Sequence, residues 1–236
     1  MPIWPRQLRR CSGFTLVELL VVIAVVALLV GLLAPSLAGA RRVARSALCS
    51  SQLRQWGFAV NAYAMENAEY LPRRGQGVQP TTRLDRDTDW FNALPLLMNG
   101  SSYLDLTSAG MAPKPGDRSI WICPEAKGPA PAVYFAYAMN MRLSVWDAPE
   151  PDRIDQVAPP AVQVFLAEAP GLYCSVLPAP DPYSLVARHS GSTVLAFLDD
   201  HVAQFSSAAV GCGVGDPLRP EIQWHVPSSA WTGPGN

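Results

Sequence analysis

One stretch near the N-terminus constrains this chain more than anything after it. From Leu19 to Ala34 every residue is apolar or glycine, and between Arg10 and Arg41 the only charge is Glu18. As a helix, about 20 such residues at ~1.5 Å each span the ~30 Å hydrocarbon core of a bilayer. A carboxylate costs roughly 2.5–3.5 kcal/mol at the membrane centre and less near an end. A mere anchor has no use for that cost, so Glu18 asks for a partner. A secretory signal peptide has a shorter apolar core followed by a small-residue cleavage site. Here the run is longer, and Leu37-Ala38-Gly39-Ala40 is only a passable site. A plain signal anchor fits the length and leaves Glu18 unexplained. Flanking charge does not orient the segment, because Arg6, Arg9 and Arg10 precede it and Arg41, Arg42 and Arg45 follow.

The helix is expected to continue past the apolar run. Cys49, Leu53, Trp56, Val60 and Tyr63 recur at spacings of four and three, the mark of one buried stripe. Pro35 removes one backbone donor and should bend the helix without ending it. The helix should stop near Asn67, before Leu71-Pro72 turns the chain. Arg73 to Asp89 has no period and reads as an exposed loop, and Trp90–Leu97 as a short helix or buried turn. Strands are expected at Ile120–Cys123, Ala132–Asn140 and Val162–Ala167. Thr193–Leu198 and Val202–Phe205 flank Asp199-Asp200-His201 and read as a β-hairpin, with Asp200 where glycine would be easiest. The tail from Gly211 reads as coil around a short strand, Ile222–Val226.

Charge and cysteine usage narrow the setting. Removing Met1–Gly13 deletes three arginines and no acid, which takes the formal charge from −1 to −4 and offers no nucleic-acid surface. The same cut removes Cys11 and leaves Cys49, Cys123, Cys174 and Cys212, an even set suited to an oxidising compartment. Cys49 lies on the buried stripe and Cys123 ends a strand that could pack on it. That favours Cys49–Cys123 and Cys174–Cys212, one of three connectivities open to four cysteines. Buried thiols that pack as small apolar residues are the other reading.

His189, Asp199, Asp200 and His201, with Glu168 in addition, are the candidates for a chemical cluster. The favoured reading is structural: His189 hydrogen-bonds the Asp199-Asp200 turn and sets the register of the hairpin. A metal site of His189, Asp199 and His201 is the weaker alternative, with zinc as the ion. Calcium on Asp181, Asp199 and Asp200 is another. No catalytic residue and no cofactor is assigned. Neither a Gly-x-Ser-x-Gly elbow nor a phosphate loop is present.

Gly13-Phe14-Thr15-Leu16-Val17-Glu18 at the head of the apolar helix resembles the processing site of type IV pilins and type II secretion pseudopilins. The resemblance implies that a prepilin peptidase cuts after Gly13 and that the new N-terminal Phe14 is methylated. It implies that Glu18 pairs with a neighbouring subunit's terminal amine, and Pro35 falls where many pilins bend. Three further segments are similar to a prepilin-like group best known from planctomycete and verrucomicrobial genomes. They are Cys49-Ser50-Ser51-Gln52-Leu53-Arg54-Gln55-Trp56-Gly57 leading to Asn61, then Cys123-Pro124 with Tyr137-Ala138-Met139-Asn140, then Arg188-His189-Ser190-Gly191 with Asp199 ten residues after the histidine. That group usually ends its signature in Asp-Gly-His, where this chain has Asp199-Asp200-His201.

The expected fold is α+β: a pilin-like lollipop whose long N-terminal helix packs on a small antiparallel sheet with long loops. The domains are a leader at 1–13, a transmembrane or filament-core helix at 14–36, an amphipathic helix at 37–70 and a head at 71–236. The leading function is a structural subunit of a type II secretion pseudopilus or pilus-like filament. Its partners would be the prepilin peptidase/methylase, like subunits and the inner-membrane assembly machinery. It would sit as a single pass in the inner membrane, with its head outside the cytoplasm, before joining a filament. The alternatives are a minor subunit that binds a secreted substrate or surface polymer, and an anchored enzyme using His189 and Asp199.

Overall fold

The computed structural model describes residues 14–76, 83–129, 131–145, 147–157 and 159–224. Helix α1 runs Leu16–Glu66 with Pro35 inside it. Two left-handed residues end it, Ala68 (φ 54°) and Glu69 (φ 68°), and the Glu69 amide donates to the Ala64 carbonyl at 2.8 Å. The chain divides into two compact units after Val43. In the first, every large apolar side chain from Phe14 to Leu37 is more than half exposed. Among the described residues this is the one helix long and apolar enough to cross a membrane.

The second unit is α+β. After α1 come α2 (Trp90–Leu97), α3 (Tyr103–Ser108), β1 (Phe135–Asn140), β2 (Val164–Gly171), β3 (Ser175–Val176), β4 (Ser192–Phe197), β5 (Val202–Ser206) and α4 (Ser207–Val210). The five strands form one sheet in the order β3-β1-β2-β4-β5. Both faces are covered. Alternate residues of β4 divide between two cores, Val194 and Ala196 to one and Leu195 and Phe197 to the other, as the period of a strand requires. The first core holds the α1 stripe, with Cys49, Leu53, Trp56 and Val60 fully buried. Trp56 meets Trp90 and Trp121 at ring separations of 5.4 and 4.9 Å, and Tyr103 stacks on Phe135 at 4.4 Å. The second core closes under Leu185, Val210, Ile222 and Trp224. Burial on both faces explains why β2 reads as a continuous apolar run.

Several expectations change. The sheet is mixed, because after β2 the chain crosses back so that β3 pairs parallel with β1. Residues 120–123 form a turn and not a strand. The Ser119 and Ile120 carbonyls accept from Gln52 Nε2 (2.7 Å) and Trp56 Nε1 (3.2 Å), side chains of α1. The described residues of 73–89 are not simply exposed. Arg74 and Asp89 are buried, and the Arg73 guanidinium donates to the carbonyls of Val145, Ala148 and Pro149. Gln223 makes a single parallel bridge to Gln163 where a strand is expected, and Val226 lies outside the described residues.

Candidate functional site

Two sets of residues carry the functional question, one at the head of α1 and one inside the second unit. Gly13 lies outside the described residues, and Phe14 is exposed. Thr15 precedes the first turn, and its hydroxyl accepts from the Glu18 amide at 3.2 Å. Glu18 Oε2 reaches back and accepts from the Thr15 amide (2.8 Å) and hydroxyl (2.7 Å). This is a capping box, which satisfies reciprocally two backbone donors that a helix start leaves open.

The second set is buried between α1 and the sheet. Pairing of β1 with β2 places Tyr137 opposite Glu168, and Ala167 opposite Leu195 puts Glu168 beside Val194. Glu168 has no exposed surface; its Oε2 accepts from the Val194 amide at 3.2 Å. Its Oε1 is 3.1 Å from His189 Nε2, 3.5 Å from Cys49 Sγ and 3.8 Å from Arg188 Nη1. Cys123 Sγ is 3.5 Å from the same His189 nitrogen. The Tyr137 hydroxyl lies 3.1 Å from Cys49 Sγ and 2.6 Å from Gln52 Oε1. Four donor atoms, one each from Cys49, Cys123, Glu168 and His189, thus lie within 4.8 Å of one another, all in buried residues. Among the described residues they are the one cluster of three or more His, Cys, Asp or Glu donors this close.

The protons of this pocket are displaced from their usual affinities. The contact with Cys123 and burial push the Cys49 thiol up, while the contact with Cys49 brings Cys123 down to about 6 against the opposing effect of burial. Burial would lower His189, but its contacts with Cys123 and Glu168 prevail and lift it to about 10. Burial raises Tyr137 well above the usual phenol range. His189 Nδ1 is buried with no hydrogen-bond partner among the described residues. The arrangement can hold a cation or, by oxidation, join its two sulfurs. The two sulfurs are sealed from solvent, as both cysteines have 0 % exposure, and a nucleophile needs access.

The hairpin expected to carry His189 is a separate feature. β4 and β5 pair antiparallel, and Asp200 takes φ +70° at the turn. Asp200 Oδ1 accepts from Asn61 Nδ2 at 2.6 Å, and the same Asn61 nitrogen donates to the Leu198 carbonyl at 2.9 Å. The turn docks at Gly57, where a Cβ would stand 3.3 Å from the Asp200 Cα. His201 Nδ1 meets Asp199 Oδ1 at 2.5 Å on the surface.

Residues 8–34 match the family model described as a prokaryotic N-terminal methylation motif. The chain has a prepilin-type N-terminus. No curated protein and no solved structure matches it.

Several expected groupings are rearranged. His189 does not hydrogen-bond the Asp199-Asp200 turn. The turn is held by Asn61, and the bend at Arg188-His189 aims the imidazole at Glu168 and Cys123. His189, Asp199 and His201 do not meet as metal ligands for the same reason. Asp181 accepts from the Tyr183 amide at 2.9 Å, so the three aspartates considered for calcium are each engaged separately. Cys49 and Cys123 do approach each other, as thiols. Cys174 belongs to the core on the α1 side and Cys212 packs against the other core, which leaves the sheet between them. One feature was missed and one was grouped with the wrong partners. The spacing Thr15-x-x-Glu18 is a legible capping-box signal. Glu168 was placed with His189 and the hairpin residues and not with Cys49 and Cys123, since a carboxylate inside Val-Phe-Leu-Ala-Glu-Ala carries no local signal of which side chains meet it.

Proposed function

We propose that this prepilin-type chain is a membrane-anchored structural subunit, cut after Gly13, methylated on the amine of Phe14 and assembled with like subunits into a pseudopilus or pilus-like filament. The observation that carries the reading is the methylation motif at residues 8–34, which heads a helix whose apolar side chains stay exposed from Phe14 to Leu37. Such a surface is stable in lipid or against copies of itself, and the membrane serves as the reservoir from which subunits are drawn. The capping box adds a physical step. Before assembly, Glu18 is satisfied by Thr15 of its own chain. In the filament, a neighbour's terminal amine in a low-dielectric bundle competes for the same carboxylate, where a charge pair is strong and a missing partner costly. Processing by the peptidase/methylase, residence in the inner membrane with the head outside the cytoplasm, and membership of the narrower His-x9-Asp-Gly group belong to this proposal.

The test is intact mass and N-terminal sequencing of membrane-derived protein, followed by filament recovery from cells carrying Glu18→Leu. The expected mature chain begins at methylated Phe14. Glu18→Leu should insert at wild-type levels and be depleted from filaments. A mature start near Ala40, or wild-type incorporation of Glu18→Leu, would sink the reading.

A further inference from the structure

We infer that Cys49, Cys123, Glu168 and His189 form a structural zinc site that ties α1 to the sheet. The donor set is two sulfurs, one imidazole nitrogen and one carboxylate oxygen, the mixture that suits a borderline-soft divalent ion. The spacing agrees. With metal bonds of about 2.3 Å to sulfur, 2.0–2.1 Å to nitrogen and 2.0–2.2 Å to oxygen, the edges of a tetrahedral site come to about 3.4–3.8 Å. The structure has 3.5 Å from Cys49 Sγ to Glu168 Oε1, 3.5 Å from Cys123 Sγ to His189 Nε2 and 3.1 Å from His189 Nε2 to Glu168 Oε1. The same four atoms make every one of these contacts and all lie within 4.8 Å of one another, so a central ion needs only small adjustments of the side chains.

Charge agrees as well. Two thiolates and a carboxylate around Zn²⁺ leave a net −1, and the Arg188 guanidinium 3.8 Å from Glu168 supplies the opposite charge. Buried charges survive only when paired in this way. Binding displaces to solvent the protons held by the two sulfurs and by His189 Nε2, and needs no oxidant. Tyr137 at Cys49 Sγ and the Val194 amide at Glu168 Oε2 hold ligands from behind, the role of outer partners in metal sites. Four protein ligands fill a tetrahedron and leave no open position for substrate, which makes the site structural. The ligands come from α1, the 119–126 turn segment, β2 and the bend before β4, so one ion joins four parts of the unit, and its binding energy becomes folding energy.

A Cys49–Cys123 disulfide would consume two of the ligands, and the two outcomes exclude each other. The experiment uses full-length protein in detergent, purified reduced on a tag without histidines. Elemental analysis should find about one zinc per chain. Cobalt(II) offered after stripping should give a tetrahedral spectrum with thiolate charge-transfer bands. Cys123→Ser and Glu168→Gln should lose the metal, Cys212→Ser should keep it, and Tyr137→Phe should bind about 10- to 100-fold more weakly. If the ligand variants fail to fold by near-ultraviolet circular dichroism, the wild-type cobalt spectrum decides alone. Thiolate bands support the site, and their absence from folded, reduced protein overturns it. A mass deficit of two hydrogens on a Cys49–Cys123 peptide from native envelopes also overturns it.

Discussion

Between Leu16 and Val43, α1 turns its large apolar side chains outward on every side; between Ala44 and Glu66 it buries Cys49, Leu53, Trp56 and Val60 and leaves Leu48, Phe58 and Met65 outside. The contrast extends to polar groups. In the first half the one carboxylate is satisfied within its own turn, by Thr15. In the second, Gln52, Trp56 and Asn61 send their side-chain nitrogens to carbonyls far along the chain. The same helical geometry therefore serves two environments. A helix apolar all round needs a uniform apolar surrounding, while a striped helix needs one particular partner surface. Glycine shows the difference at single positions. A Cβ on Gly31 would meet nothing within 4 Å, whereas one on Gly57 would stand 3.2 Å from Asp200 Oδ1.

The largest effect that could break this contrast is at Trp56. Trp56→Ala empties a fully buried site among Trp90 and Trp121 and should cost about 3–5 kcal/mol of head stability, read by denaturant titration of the full chain in detergent. Leu29→Ala, in the first half, should leave the same transition in place. A loss below about 1 kcal/mol at Trp56 would contradict the core described here. Next come the two glycines. Gly57→Ala should destabilise by about 1 kcal/mol, because crowding of the hairpin backbone exceeds the gain in helix propensity. Gly31→Ala should not move the head transition, and equal effects at both sites would erase the distinction. The smallest effect is at Asp200. Asp200→Gly relieves a left-handed aspartate and gives up the hydrogen bond from Asn61. These oppose each other at about 1 kcal/mol apiece, so the melting temperature should hardly change. A clear loss would mean that the Asn61 contact outweighs the strain and would sharpen the account of how the hairpin grips α1.

Local pattern was enough for the elements whose causes are local. The extent of α1, its buried stripe, the hairpin at Asp200 and the strands near β1 and β2 were all legible, because periodicity, β-branching and turn chemistry act within a few residues. The turn at 120–123 was misread, since Ile-Trp-Ile-Cys has the composition of a strand. The side chains of α1 that take its carbonyls lie more than 60 residues away. β3 is two residues long, and its parallel pairing with β1 depends on a crossover that no local signal encodes.

For the candidate site the division is sharper. Sequence by itself determined the prepilin-type N-terminus, because that signal is a contiguous register of Gly13, Phe14 and Glu18 before an apolar run. It also singled out Cys49, Cys123 and His189, each within its own segment, named Glu168 beside the histidine, and gave the cysteines and the histidine separate tasks. Only the tertiary structure decided that these three meet at Glu168. Their convergence depends on the register of β1 on β2, the turn laid along α1 and the bend that aims His189 inward. These are long-range pairings, and a chain reveals them only once the sheet has closed against the helix.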